Sequence, residues 1–500
     1  MNALAVAAPN EAAADAAEQM ASAGGNAVDA ALAAALVAMV NEVGIVSLSS
    51  GGFVTVQPAD GGPAYTVDGW MDMPGRGHAE GAAHGSTWDV ATAYGGGVDI
   101  TIGPGSVAVH GSLAAFGEAH RRDGRVPWRE LVAPAIEVAR RGYRLTSASR
   151  YYLDHTYDDV FGWDTESRAV LHDAEGELTT ERIVMPDLVD SLELIARDGP
   201  GVLHHGELAD RISRDVTDRG GLLTHADLAA YEPVVRPALV SRAGGWALST
   251  TPPPSVGGVC LTAMLRLLLA HPGEDPLDAD HVVQVQRAVL GHRLDVLDHA
   301  PDLVEAAREF LDRVDHDHLA VLESGSTAHV STTDRAGTAC AVTFSSGYGS
   351  GMIAAGTGIW LNNCLGEQEL NPAGLHAAVP GTRLLSNMAP TVGRHEDGST
   401  LAIGSPGADR ITTAIAQVLA GYLSGLSLHE AVNRPRVHVH RPGRPDELVK
   451  RETDLTMYYG GVGATVVNAD GHLVAAADPR REGAVRLVEG PHQPEPRDPR

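Results

Sequence analysis

The run Gly325-Ser326-Thr327-Ala328-His329-Val330-Ser331-Thr332, continued by Asp334-Arg335-Ala336-Gly337, limits the possible fold more than any other stretch of this chain. It reads as a short loop ending in a Thr, an alternating strand, a glycine turn and a second strand from Cys340 to Phe344. A Thr inside a strand is by itself an ordinary β-branched choice. A Thr at the mouth of a strand, directly after a Gly-Ser loop, also has a chemical reading.

If the Ser326–Thr327 peptide is cut, the freed Thr327 holds a nucleophile and a base in one residue. Its hydroxyl attacks and its own α-amine takes the proton, so no separate His is needed. An internal Thr presented in this way resembles the nucleophile of an N-terminal-nucleophile hydrolase.

Composition narrows the partners. The 500 residues carry a formal net charge of −27, which argues against nucleic acid and anionic membranes. Lys450 is the only lysine, so the basic character is almost all Arg, a residue suited to planar carboxylate contacts. Cys260, Cys340 and Cys364 give neither a paired framework nor metal-like spacing, as expected in a reducing compartment. No basic segment precedes an apolar core at the N-terminus, and the apolar run Ala31 to Val40 is too short to span a bilayer. The expectation is a cytoplasmic protein.

Other motifs take bland readings. Asp315-His316-Asp317-His318 ends a charged helical region and reads as solvated rather than metal-binding. His438 and His440 share a strand face with no evident carboxylate partner. His329 shares the face of Thr327, where it could tune the amine or simply pack, and packing is the preferred reading. With those motifs read so, no metal is expected, and the absence of Gly-rich phosphate motifs leaves no nucleotide cofactor expected either.

Along the chain, Asn10 caps a first helix reaching Ala23, Gly24-Gly25 ends it, and Asn26 starts a second ending near Val40. A Gly/Ser loop, Ser47 to Gly52, feeds a strand from Phe53 to Gln57. Gly103-Pro104-Gly105-Ser106 is expected to open a helix running to Arg121, and further helices cover Leu131 to Arg141, the stretch before Gly199, and the segment after Ser255 through Leu269. Asp278 to Leu322 reads as helical and charged. Beyond Thr327 come strands and glycine turns, helices at Ile411 to Leu423 and near Leu428, and strands to Glu482. Helices and short strands without a regular βαβ period predict an α+β fold with sheets layered between helices.

At this point a family resemblance covers nearly the whole chain. The matching pieces, in order, are Gly24-Gly25-Asn26-Ala27-Val28-Asp29-Ala30-Ala31, Gly103-Pro104-Gly105, Pro127-Trp128-Arg129-Glu130-Leu131-Val132-Ala133-Pro134-Ala135, Gly220-Gly221-Leu222-Leu223-Thr224, Pro252-Pro253-Pro254-Ser255, the Thr327 segment, Gly404-Ser405-Pro406-Gly407, and Asp478-Pro479-Arg480-Arg481-Glu482-Gly483. Together they resemble the γ-glutamyltransferase family. The resemblance implies a four-layer αββα sandwich and a single precursor. It also implies cleavage before Thr327 into a large subunit, 1–326, and a small subunit, 327–500, that stay together. It places the oxyanion hole at Gly407 and Ala408, where backbone N–H groups ahead of a helix can meet developing charge, and gives Ser345 a supporting role.

The departures concern substrate. The family grips a γ-glutamyl α-carboxylate with an Arg, and Trp70 stands in its place within Val67-Asp68-Gly69-Trp70-Met71-Asp72-Met73-Pro74. A bidentate charged clamp has become an apolar ring. The assisting Ser pair is Ser386-Asn387, Cys364 replaces a Gln beside the substrate amine, and Glu367 replaces the Asp that pairs with that amine. The loop Phe344-Ser345-Ser346-Gly347-Tyr348 is about two residues shorter than the family's and lacks its Asn. The expected function is an autoprocessing hydrolase acting on a small molecule other than a γ-glutamyl compound. A known divergent branch, in 4-alkylproline formation, cleaves a carbon–carbon bond beside a ketone and releases oxalate. Two alternatives stand. One is ordinary γ-glutamyl transfer or glutathione hydrolysis with Arg76 or Arg383 as the clamp. The other is a processing-dead scaffold.

Overall fold

The Thr327 strand is buried on both faces, which requires a layer on each side of its sheet. In the computed structural model this strand, Ala328–Asp334, lies near the middle of a seven-stranded antiparallel sheet. The order is Ala484–Val488, Leu4–Ala8, Ala328–Asp334, Ala339–Ser345, Gly51–Gln57, Tyr65–Gly69, Val234–Pro237. Residues 2–78, 85–94, 97–270, 275–314, 327–367, 370–407, 410–445 and 447–490 are described.

Side-chain alternation sorts the two faces. Val330 joins the core shared with the helices, and Thr332 donates to the Ala27 carbonyl. His329 and Ser331 point the other way, towards a six-stranded antiparallel sheet ordered Leu473–Ala477, Gly463–Val467, Thr400–Gly404, Thr391–His395, Trp246–Thr250, Leu239–Ala243. A Cβ on Gly404 would fall 2.3 Å from the His329 ring, so the sheets approach closely at that glycine.

The outer layers are helical. Ala27–Asn41 is wholly buried against the first sheet and has no polar face, as expected for a helix covered on all sides. Asn26 and Asp29 form a capping box at its start, and Asp334 accepts from the Ala27 N–H. Glu11–Ser22 and Trp128–Arg141 cover it outside. Val256–Leu269 and Arg410–Leu423 pack together beyond the second sheet, around a second core. The result is the expected α+β sandwich in four layers.

Two expected elements differ. The segment at Gly103 forms only a single turn, Pro104–Ser106, and the helix begins later, at Ser112–Asp123. Between them Val109 exchanges both backbone hydrogen bonds with Asp72, so a tertiary pairing overrides local helix preference. The region after Asp278 is broken into Ala279–Asp295 and Leu303–Val314.

Candidate active site

One end of the first sheet gathers the expected chemistry. Phe344 is paired with Ala328, which sets Ser345 beside Thr327, and Ser345 is in turn paired with Gly51. Gly52 is paired with Gly69, so Trp70 follows beside Gly51, with the would-be Cβ of Gly51 only 3.0 Å from the indole. Four neighbouring strand ends thus line up Thr327, Ser345, Gly51 and Trp70. In the uncut chain Thr327 is 3% exposed. Ser326 lies outside the described residues.

A buried hydroxyl cluster holds this edge. Ser346 Oγ meets Ser47 Oγ at 3.0 Å and Ser50 Oγ at 2.8 Å, and Ser345 Oγ accepts from the Gly347 N–H. The Gly/Ser loop seen in the sequence is therefore the support for the turn after Ser345.

The position at which the resemblance puts a cationic clamp is aromatic and fully packed. Trp70 is buried, stacks near Phe53 and donates its indole N–H to the Leu385 carbonyl at 2.7 Å. Next to Leu385 come Ser386 and Asn387, both buried, whose backbone meets the start of the Val256–Leu269 helix. Cys364 is buried, and burial pushes its thiol well up, so it donates as a neutral S–H to the Glu367 carboxylate. Glu367 lies over Gly347, where a Cβ would come within 3.0 Å of its Oε1. Tyr348 follows, held by Asn363 and by the Tyr152 hydroxyl on its carbonyl.

The loop expected to stabilise an oxyanion leaves the second sheet after Gly404. Thr400–Gly404 ends at the glycine facing His329, and Ser405-Pro406-Gly407 then leads into Arg410–Leu423. Gly407 has φ +111°, which a side chain tolerates poorly, and it packs on Gly460. Ser405 Oγ accepts from the Gly461 N–H at 3.1 Å, fixing the loop to the next strand connection. Ala408, the second expected donor, lies outside the described residues.

His329 is a packing residue. Its Nδ1 meets Thr343 Oγ1 at 2.8 Å and its Nε2 meets Ser331 Oγ at 2.7 Å. Burial lowers its pKa to about 3, so the ring is neutral.

Sequence reasoning missed the groups behind Thr327. Arg481 Nη1 donates to the Thr327 carbonyl at 2.5 Å, and Arg481 Nη2 lies 3.4 Å from Glu42 Oε2. Glu42 follows the long apolar run of the Ala27–Asn41 helix, and its Oε1 accepts from Asn10 Nδ2 at 2.9 Å. Asn10 and Asn41 also exchange side-chain hydrogen bonds. Burial raises the Glu42 pKa, while Arg481 and Asn10 pull it back. The lone Glu after so long an apolar run was the available signal.

Both Arg residues weighed as replacement clamps are engaged or placed elsewhere. Arg383 is committed to Asp72 at 2.6 Å, Asp68 at 2.7 Å and the Glu232 carbonyl, and it lies over the Tyr231 ring. Arg76 lies on Gly381, at the far end of the ribbon in which Met71 and Met73 pair with residues 381–384. Of the metal-like motifs, residues 315–318 are outside the described set, and His438 Nδ1 meets Thr413 Oγ1 at 3.2 Å. Among the described residues no helix is long and apolar enough to cross a membrane.

Comparison with known proteins gives concordant matches. The family model described as gamma-glutamyltranspeptidase matches residues 13–488. The chain is 29% identical to the glutathione hydrolase proenzyme of Escherichia coli (strain K12), over 91% of this chain and 87% of that protein. It is 30% identical to the glutathione hydrolase proenzyme of Pseudomonas aeruginosa, over 87% and 82%. It is 29% identical to the acylase ACY 1 proenzyme of Pseudomonas sp. (strain SE83), over 94% and 90%. In fold it resembles the crystal structure of cephalosporin acylase from Bacillus halodurans, with a TM-score of 0.77 at 22% identity, covering 98% of this chain and 96% of that one.

Proposed function

Because this chain belongs to the gamma-glutamyltranspeptidase family, whose members are Thr-nucleophile hydrolases and acyltransferases, we propose that it cuts its own backbone before Thr327 and then turns over a substrate that is not a γ-glutamyl compound. The observation that carries this reading is Trp70. An indole with its N–H already bonded to Leu385 occupies the clamp position, and Arg383 is fully engaged elsewhere. A substrate carboxylate placed there would meet an apolar ring and lose its hydration without gaining a partner.

In the proposed cycle Thr327 Oγ attacks an activated carbonyl and its own α-amine accepts the hydroxyl proton. Backbone N–H groups of the Gly407 loop stabilise the oxyanion. Collapse breaks an amide or a carbon–carbon bond, the leaving nitrogen or enamine-like carbon takes the proton, and water hydrolyses the Thr327 ester. With an α-keto acid side chain as substrate, the released acid is a short diacid such as oxalate. That chemistry suits a cytoplasmic biosynthetic step that trims a side chain in 4-alkylproline formation. The indole of Trp70 beside the Phe53 ring supports a planar, weakly charged substrate.

The second reading is glutathione hydrolysis, favoured by the names of the E. coli and P. aeruginosa relatives. A γ-glutamyl anilide separates the two. The leading reading predicts turnover at least ~100-fold below that of a glutathione hydrolase, the worth of a lost bidentate carboxylate contact. Brisk release of the aniline would establish the second reading instead.

A further inference from the structure

We propose that Arg481 and Glu42 form an opposed-charge positioning pair that sets the protonation of the Thr327 α-amine released by self-cleavage. The proposal rests on the reading of Thr327 as the cleaved nucleophile and adds what tunes its base.

The geometry is specific. Arg481 holds the Thr327 carbonyl through Nη1 and turns Nη2 towards Glu42, which sets a guanidinium on the very residue whose nitrogen self-cleavage would free. Glu42 lies behind the guanidinium, at the end of the Ala27–Asn41 helix, fixed by Asn10. The carbonyl end of that helix carries a partial negative charge that favours the guanidinium there. All these groups are buried.

Arg481 sits in the single turn Pro479–Arg481, which has its own anchors. Asp478 lies 2.6 Å from Arg436 and 3.0 Å from Arg480, and Arg480 also binds Glu452 at 2.6 Å. Those two carboxylates and two guanidinium groups balance one another, so Arg481 is not needed to neutralise them. Among the described residues, the other titratable groups around this end are His329, neutral and bonded to Thr343 and Ser331, and Cys364 with Glu367 beyond Ser345 and Gly347.

A general base must be unprotonated at working pH, and a free α-amine titrates near pH 8. A buried guanidinium beside it disfavours the ammonium form and lowers that value, while Glu42 limits the effect by pairing with Arg481. The two charges therefore act with opposite sign. A purely structural pair would not.

The test is an NMR pH titration of Thr327 in self-cleaved protein labelled with [13C]threonine, comparing Arg481→Met, Arg481→Lys and Glu42→Gln. The expected result is an amine pKa raised by about 1 unit or more in Arg481→Met, lowered in Glu42→Gln, and nearly unchanged in Arg481→Lys. Unchanged values, or shifts of the same sign in Arg481→Met and Glu42→Gln, would overturn the proposal while leaving the nucleophile reading intact. If Arg481→Met does not fold, the downward shift in Glu42→Gln and the rescue by Lys decide the matter. Should the wild-type chain contain no cleaved Thr327, the nucleophile reading itself fails, and the pair loses its role with it.

Discussion

At the scale of single residues, the close approach of the two sheets depends on an uncharged imidazole. His329 lies against Gly404 with both ring nitrogens bonded to hydroxyls, and its pKa falls to about 3. His110 and His204, buried beside each other, are lowered to about 3 and about 4 by the same desolvation. An unfolded histidine titrates near 6.5, so between these values the unfolded chain binds more protons. Stability from the three groups is full above pH 6.5 and is lost as pH falls below it, by roughly 1–2 kcal/mol per histidine at pH 5. Denaturant midpoints at pH 7.5 and pH 5 should show this loss, and His329→Gln should flatten part of the slope. A slope identical in wild type and His329→Gln would contradict the account. The reading of His329 as packing was open to sequence because it shares a face with Thr327. The partnership of Arg481 with Glu42 was not, since the two are 439 residues apart and no local pattern links them.

Among the elements, the Ala27–Asn41 helix shows how far local signals reach. Its Asn26 start and its end near Val40 were legible, because capping chemistry and an unbroken apolar run leave little choice. Its burial on every side follows from the layers around it and from small side chains that allow close approach. Ala33→Leu should therefore overpack it, lowering stability by about 1–3 kcal/mol in a denaturation curve, with no effect on the sequence at the cleavage site. A stability change below measurement error would mean that the helix has room the structure denies. The expected helix from Gly103 failed for the converse reason. Gly105 lies against the Gly85 backbone, where a Cβ would be 2.5 Å away, and Val109 pairs with Asp72. Both contacts are made by residues far along the chain, so local preference could not register them.

Over the whole molecule, the proposed cut would leave two pieces that cannot part without unfolding. Leu4–Ala8 lies between Ala484–Val488 and Ala328–Asp334, and Gly51–Gln57 pairs with Ala339–Ser345, so both pieces share one sheet. The sandwich itself was legible from motif order; the interleaving of strands around the cut was not, because strand neighbours are set by tertiary pairing. After cleavage the pieces should co-elute in native size exclusion and separate only in denaturant. The most direct measurement is the intact mass of the purified protein under denaturing conditions, for wild type and Thr327→Ala. The account predicts two wild-type species, the smaller beginning at Thr327, and a single 52.2 kDa species for the variant. A wild-type chain that stays whole, or a variant cut at the same bond, would contradict it.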